Sequence, residues 1–499
     1  MSGIKKLAGQ TMWYGVSSIA ARFINYLLTP YLTFKLTESQ YGEMSIVYSF
    51  IPFMNVLFAF GLETAFFRFA NQADKGKVYS TSSISLIFST LLLTAGLILL
   101  QNPLSVFLQV ADHPEYLSLS AAMIGLDALC TIPFAKLRQD GRPIKFAVIK
   151  VGGILINVIS IYFFLSVCPR LLAHDPTHWV GRFFDPNWVV GYILLANVIQ
   201  NAITLLLLSK ELLGFEWKMD MGLWKEMIRY SIPLIIAGFA GMINETFSRI
   251  MLGWWAPVSS VDAAKAEVGI FAACYKLSIL ITLAVQAFRM GAEPFFFKQA
   301  QQENAPKVYA RVMKFFVITL CFMFLMVALY LDIWKQFIRN PKMWEGLKVV
   351  PILLLANMFL GIYYNLSVWY KLGNKTVAGA YITLIGAAIT LLINWLFIPY
   401  YSYMACAWAT FACYGSMMVV SYVWGQKEYP IPYATKKLVA YMVIVVLLFF
   451  IHQGGIYFFQ ASWFKLSLGT LLFAFFSWFI LVIEKKELQK LPVVGKYIT

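Results

Sequence analysis

Residues 61–68 read Gly61-Leu62-Glu63-Thr64-Ala65-Phe66-Phe67-Arg68, and residues 291–298 read Gly291-Ala292-Glu293-Pro294-Phe295-Phe296-Phe297-Lys298. At the same offset Ala70 matches Ala300, Gln72 matches Gln302, Lys77 matches Lys307 and Tyr79 matches Tyr309. Upstream, a slightly shorter offset aligns Arg22 with Arg249, Gly42 with Gly269 and Tyr48 with Tyr275. So many identities at nearly one offset read as an internal duplication, and a duplication decides architecture before any local reading.

Each copy sits in strongly apolar sequence. The 499-residue chain is 60% hydrophobic and 13% charged, with a mean hydropathy of +0.70, whereas soluble domains carry about 25% charged residues. A membrane-crossing helix needs about 20 mainly apolar residues. By that measure runs lie near 8–33, 44–67, 80–101, 116–135, 146–167, 188–209 and 230–254. The second half adds 267–289, 312–331, 349–370, 377–398, 403–424, 438–456 and 464–483. The expected fold is an all-α polytopic membrane protein of about 14 spans. Spans 1–6 and 7–12 form two lobes. An even number of spans per copy inserts both copies in one orientation, so the lobes are related by a pseudo-two-fold axis along the membrane normal, with the transport path between them. The corresponding segments are 1–215, 216–430 and 431–499, the last holding two extra spans and a tail.

The net charge of +16 is explained without nucleic acid. With the N-terminus inside, most Lys and Arg fall in cytoplasmic segments, among them Lys136, Arg138, Arg142 and Lys145, then Lys298, Lys307 and Arg311, and the tail lysines Lys485, Lys486, Lys490 and Lys496. Outer loops carry few, such as Lys35, Lys265, Lys335 and Lys348. This is the positive-inside pattern of a multi-pass inner-membrane protein with both termini cytoplasmic. The start, with Lys5 and Lys6 but no Ala-x-Ala site before the apolar run, reads as a cytoplasmic tip. The six cysteines lack metal-ligand spacing and five lie in apolar runs. The four histidines map to outer loops or span ends, and His174 with His178 reads as a solvated pair. There is no P-loop or other phosphate-cradling glycine motif.

Ionisable residues deep in a span are functional candidates by default. They are Arg22, Asp127, Glu245, Arg249 and Lys276, with Glu63 and Glu293 toward the inner ends of their spans. Arg22 and Arg249 each lie 20 residues before the glycine of their copy (22 to 42, 249 to 269), so they are expected at similar depth. A guanidinium fork suits a diphosphate. The alternative for Arg249 is an i,i+4 pair with Glu245. Lys276 adds a third cation or answers Asp127 or Glu245. Glu63 and Glu293 each precede a cation by five residues, Arg68 and Lys298, which points to capping or gate pairing at the inner mouth. Asp127 is either a coupling-ion ligand or a buried hydrogen-bonded carboxylate. Pro30, Pro52 and Pro133 are expected to kink spans, while Pro233, Pro294 and Pro351 mark span ends.

With Tyr41-Gly42-Glu43, Gly61-Leu62-Glu63-Thr64-Ala65 and Arg138-Gln139-Asp140-Gly141-Arg142-Pro143, the chain resembles polysaccharide and O-antigen (Wzx-type) flippases. These belong to the multidrug/oligosaccharidyl-lipid/polysaccharide, MATE-like exporter superfamily. The resemblance implies a non-enzymatic, alternating-access transporter. Its cargo would be an undecaprenyl-diphosphate-linked oligosaccharide, its setting the membrane lipids, and its candidate partners polysaccharide polymerases or glycosyltransferases. It also implies a monomer without a cofactor, with Na⁺ or H⁺ as the open choices for a coupling ion. Two relatives of the fold stand as alternatives, a peptidoglycan-precursor flippase and a multidrug exporter. An integral-membrane glycosyltransferase or polymerase is disfavoured by the short outer loops.

Overall fold

The computed structural model describes residues 15, 19–300, 302–373 and 375–489. Thirteen helices among them are long and apolar enough to cross a membrane. The first expected span, 8–33, lies partly outside the described residues; its described part is helical over 19–27 and again in α1 (Thr29–Lys35), with Pro30 in the first turn. A proline there loses nothing, because the first N–H groups of a helix have no partner within it. Lys5, Lys6, Lys490 and Lys496 also lie outside the described residues.

The first set of helices is α2 (Glu38–Ala59), α3 (Leu62–Phe69), α4 (Lys75–Leu99), α5 (Glu115–Gln139), α6 (Pro143–Tyr162) and α7 (Val189–Leu207). The second set is α8 (Met221–Met242), α9 (Ser248–Trp255), α10 (Val261–Gln299), α11 (Ala305–Ala328), α12 (Val350–Leu366), α13 (Thr376–Tyr401) and α14 (Tyr403–Glu428). α15 (Thr435–Phe458) and α16 (Ser462–Ile483) pack on each other and on α11. We call the end with the Lys- and Arg-rich connections the basic end and the opposite one the far end.

The duplicated sequence makes duplicated contacts. Phe66 meets Tyr79 edge-on with centroids 6.2 Å apart, and the equivalents Phe296 and Tyr309 do the same at 5.1 Å. The copies differ in backbone, however. Gly61 has φ +70° and follows Phe60 at φ 30°, so α2 breaks before α3. Only glycine adopts the left-handed region without penalty. Gly291 sits inside the unbroken 39-residue α10, and open space surrounds it. The expected eighth span, 267–289, is therefore too short at both ends. Pro233 is likewise not at a span end: α8 starts twelve residues earlier, at Met221, and carries it inside. Pro52 and Pro133 also lie within helices, and Pro351 lies at the start of α12. All six cysteines are free and buried. His452, expected at an exposed span end, is buried at 2% exposure, with Nε2 3.1 Å from the Lys465 carbonyl.

Candidate functional site

The two sets meet at the far end where α2 crosses α10. Gly42 and Gly269, equivalent in the duplication, face each other there. A Cβ on Gly42 would stand 1.7 Å from the Lys265 carbonyl oxygen, and one on Gly269 2.0 Å from that of Glu38. The absent side chains allow backbone-to-backbone approach, as small residues do between membrane helices. Beside this crossing the Lys265 ammonium lies 3.0 Å from the Glu43 carboxylate, both buried at 4% and 8% exposure. Asn340 donates to Glu38 (3.0 Å), the Arg339 N–H to Thr33 (3.0 Å) and the Trp254 indole to the Phe107 carbonyl (2.7 Å). At the far end the sets are thus clasped by polar contacts, of which the Glu43–Lys265 pair is buried and the Trp254–Phe107 bond exposed.

The basic end is joined differently, through α8 and the segment before it. Trp224 donates to Ser85 (2.9 Å), and the Glu216 and Asp220 N–H groups donate to Ser80 (3.1 Å) and Thr81 (3.2 Å) of α4. The Arg68 guanidinium lies 4.3 Å from the Tyr230 ring centroid. Glu63 does not use Arg68; it pairs with Arg138 of α5. Likewise Glu293 pairs not with Lys298 but with Lys371, at 2.6 Å, and with Arg289, at 3.5 Å. Five positions along a helix turn a side chain well away from the first, so the partner comes from a neighbouring helix. Arg138 and Lys371 each stand five residues before the next helix start, Pro143 and Thr376, and so occupy corresponding places. Behind them Glu211, 5% exposed, holds Lys145 at 2.7 Å and Arg142 at 3.8 Å. In the second set Glu428 holds Lys375.

Between the two ends lies a group of charges around tyrosines. Arg249 stacks 4.7 Å from the Tyr275 ring centroid, and Arg289 stacks 4.2 Å from that of Tyr364. Tyr364 is within electrostatic range of Arg289, Glu245 and Arg22, Tyr275 of Arg249 and Glu245, and Lys276 of Arg249. Arg22, Glu245, Arg249 and Lys276 are thereby gathered into one neighbourhood, with Arg22 and Glu245 exposed. Among the described residues, none of Arg22, Arg249 and Lys276 forms an ion pair within 4.0 Å. The expected alternative, an Arg249–Glu245 pair, fails for a local reason. Residues Ile243–Phe247 form a π-helical turn, and its wider pitch takes the two side chains out of the i,i+4 row. Asp127 stands apart, exposed on α5, with Lys150 as its charged neighbour.

Sequence reasoning missed three residues of these sites. Arg289 falls on the last residue of the expected span 267–289, because α10 was read too short; the helix runs on to Gln299. Lys265 was counted with an outer loop for the same reason. Glu43 lies only one residue from Gly42, whose match to Gly269 was the signal that marked the crossing.

The sequence matches the family model described as polysaccharide biosynthesis protein over residues 7–299. No curated protein matches it. Among solved structures, the lipid II flippase MurJ in an inward-closed conformation superposes with a TM-score of 0.68 at 13% identity, covering 95% of this chain and 99% of its own. An inward-facing multidrug-resistance MATE transporter of the MOP superfamily gives 0.60 at 11% identity, covering 85% and 95%. An outward-facing one gives 0.56 at 13%, covering 88% and 96%. At these identities the likeness establishes the fold alone, the all-helical, many-span fold shared with these structures.

Proposed function

This chain belongs to the polysaccharide biosynthesis protein family, and on that premise we propose that it is a flippase for an undecaprenyl-diphosphate-linked oligosaccharide. It would move this cargo from the cytoplasmic to the outer leaflet of the bacterial inner membrane, for cell-surface polysaccharides such as O-antigen. The observation that carries the reading is the group Arg22, Arg249 and Lys276, cations of which Arg22 is exposed and Arg249 and Lys276 half-buried, and none of which forms an ion pair within 4.0 Å among the described residues. An unpaired cation in a low-dielectric setting is costly. A diphosphate offsets that cost only while it is bound, which makes binding favourable. Guanidinium forks supply paired donors to its oxygens.

Movement then follows alternating access. Opening the far end requires separating Glu43 from Lys265, and opening the basic end requires undocking α8 from α3 and α4. Asp127 beside Lys150 is the carboxylate we assign to a coupling ion, Na⁺ or H⁺. The chain acts as a monomer in this scheme and hands its product to a polymerase or glycosyltransferase. A second reading, flipping of a peptidoglycan lipid precursor, is supported by the 0.68 TM-score to the MurJ structure and uses the same diphosphate chemistry.

The test is leaflet exchange in proteoliposomes of fluorescent undecaprenyl-diphosphate cargoes, one with an oligosaccharide and one with a peptidoglycan precursor. Wild type is expected to move the oligosaccharide, and Arg22→Gln and Arg249→Gln to slow it by about tenfold or more each, the weight of one lost charge-assisted contact. Undiminished exchange in both variants removes the diphosphate role. Exchange of the peptidoglycan precursor alone moves the assignment to the second reading.

A further inference from the structure

A cavity of about 1330 Å³ is lined by α15 and α16 together with α11, α12 and α14. Its walls are apolar, with Phe359 and Phe411 on one side and Met442 and Val446 on the other. Its rim at the far end is basic: Lys335, Lys348 and Lys465 surround Asp332. Asp332 takes Lys335 at 2.5 Å and Lys465 at 3.1 Å, while Lys348 has only Glu345 at 3.9 Å. Three ammonium groups against the carboxylates of Asp332 and Glu345 leave the rim with a small positive excess. His452 also lines this space. Its Nε2 faces the Lys465 carbonyl at 3.1 Å and must donate to it, so in the neutral ring Nδ1 is an acceptor. That Nδ1 is buried and has no hydrogen-bond partner.

We propose that this groove is a binding site for a resident anionic glycerophospholipid, phosphatidylglycerol. Its phosphate rests among Lys335, Lys348 and Lys465, and its acyl chains lie between Phe359, Phe411, Met442 and Val446. Two physical points carry the assignment. An apolar cavity of roughly 150 Å³ stays dry and takes up apolar molecules, and this one is far larger, so inside a bilayer a lipid chain fills it. The rim charge favours an anionic headgroup over a zwitterionic one, as basic clusters at membrane surfaces do. The transport cargo is not the occupant: none of Arg22, Glu245, Arg249 and Lys276 lines the groove, so a diphosphate seated on that cluster would leave the basic rim empty. The lipid wedges α15 and α16 against the second helix set and does not travel.

Native mass spectrometry of the full-length protein, exchanged from detergent into phosphatidylglycerol or phosphatidylcholine of matched chains, tests this. One phosphatidylglycerol is expected to survive activation that strips the rest, with a preference over phosphatidylcholine of about tenfold or more, the weight of several rim lysines. Lys335→Gln/Lys348→Gln is expected to erase the preference while leaving the fold intact. Val446→Trp, which fills the groove, is expected to release the bound lipid altogether. Equal retention of both lipids overturns the proposal, as does a preference untouched by the lysine pair. Displacement of phosphatidylglycerol by undecaprenyl phosphate at equal concentration also overturns it, since the groove would then hold cargo. Leaflet exchange of the wild-type protein in proteoliposomes is independent: no exchange of the oligosaccharide cargo with the lipid preference intact leaves the lipid site standing and removes the flippase reading.

Discussion

Glu43 and Lys265 lose nearly all their hydration at the α2–α10 crossing, and that makes them sensitive to single changes. Removing one member of a buried pair strands the other charge, at a cost of roughly 3–5 kcal/mol, whereas removing both is far milder. Lys265→Met is therefore expected to weaken far-end closure by that order, and Glu43→Gln/Lys265→Met to restore much of it. Double electron–electron resonance between spin labels at Asp112 and Ser259 reads this out, because the six native cysteines are buried. A distance distribution in Lys265→Met identical to wild type would show that the pair does not hold the far end. The rim pair Glu63–Arg138 is about a third exposed on both sides, and pairs of that kind contribute only ~0.2–1 kcal/mol. Arg138→Glu is expected to slow transport mainly by repelling Glu63, and Glu63→Arg/Arg138→Glu to recover it. Failure of that exchange to recover transport would assign Arg138 a role beyond its partner.

At the scale of the element, the duplication hides two different backbones. Gly61 and Gly291 occupy equivalent sequence positions, yet only Gly61 is in the left-handed region. Gly61→Ala is expected to destabilise by about 1–2 kcal/mol, while Gly291→Ala, mid-helix and facing open space, is expected to stabilise by about 0.5–1 kcal/mol. Thermal melts in detergent that move both variants the same way would contradict this. At the basic end α16 is followed by Glu484, 2% exposed, which takes hydrogen bonds from Lys314 at 2.6 Å, Tyr441 at 2.6 Å and Lys437 at 3.3 Å. Burial pushes its carboxyl up, but the lysine and tyrosine donors outweigh burial and hold it below the ordinary value. A depressed folded value means the group stabilises fully above its unfolded pKa of about 4.3 and loses that contribution as pH falls through the lower folded value. From about pH 5 down to about pH 3 the melting temperature of wild type is expected to fall toward that of Glu484→Gln. A constant gap across that range would show that the tie does not titrate.

For the whole molecule, helix content, the succession of spans and the duplicated contacts were all legible in the sequence, because each follows from a run of apolar residues or a repeated string. Arg22, Arg249, Lys276 and Glu245 were legible as candidates for the same reason: a charge stands out in apolar sequence. Their grouping around Tyr275, Tyr364 and Tyr414 depends on how separate helices face one another, as does the separation of Asp127 from that group.

The partners were not legible. Proximity along the chain suggested Arg68 for Glu63, Lys298 for Glu293 and Glu245 for Arg249. The structure supplies Arg138 for Glu63 and Lys371 with Arg289 for Glu293, and it leaves Arg249 on a tyrosine ring. By itself, then, the sequence determined that this chain spans a membrane many times, that it carries a repeated string, and which charges stand in apolar runs. Hydrophobic transfer energy is a sum over local residues, so a one-dimensional string contains it. The clasp of Glu43 with Lys265, the pairing at both rims and the groove beneath α15 were decided only by tertiary structure. Ion pairing falls off over a few ångströms between groups that lie hundreds of residues apart, and a cavity is defined by elements that fail to touch.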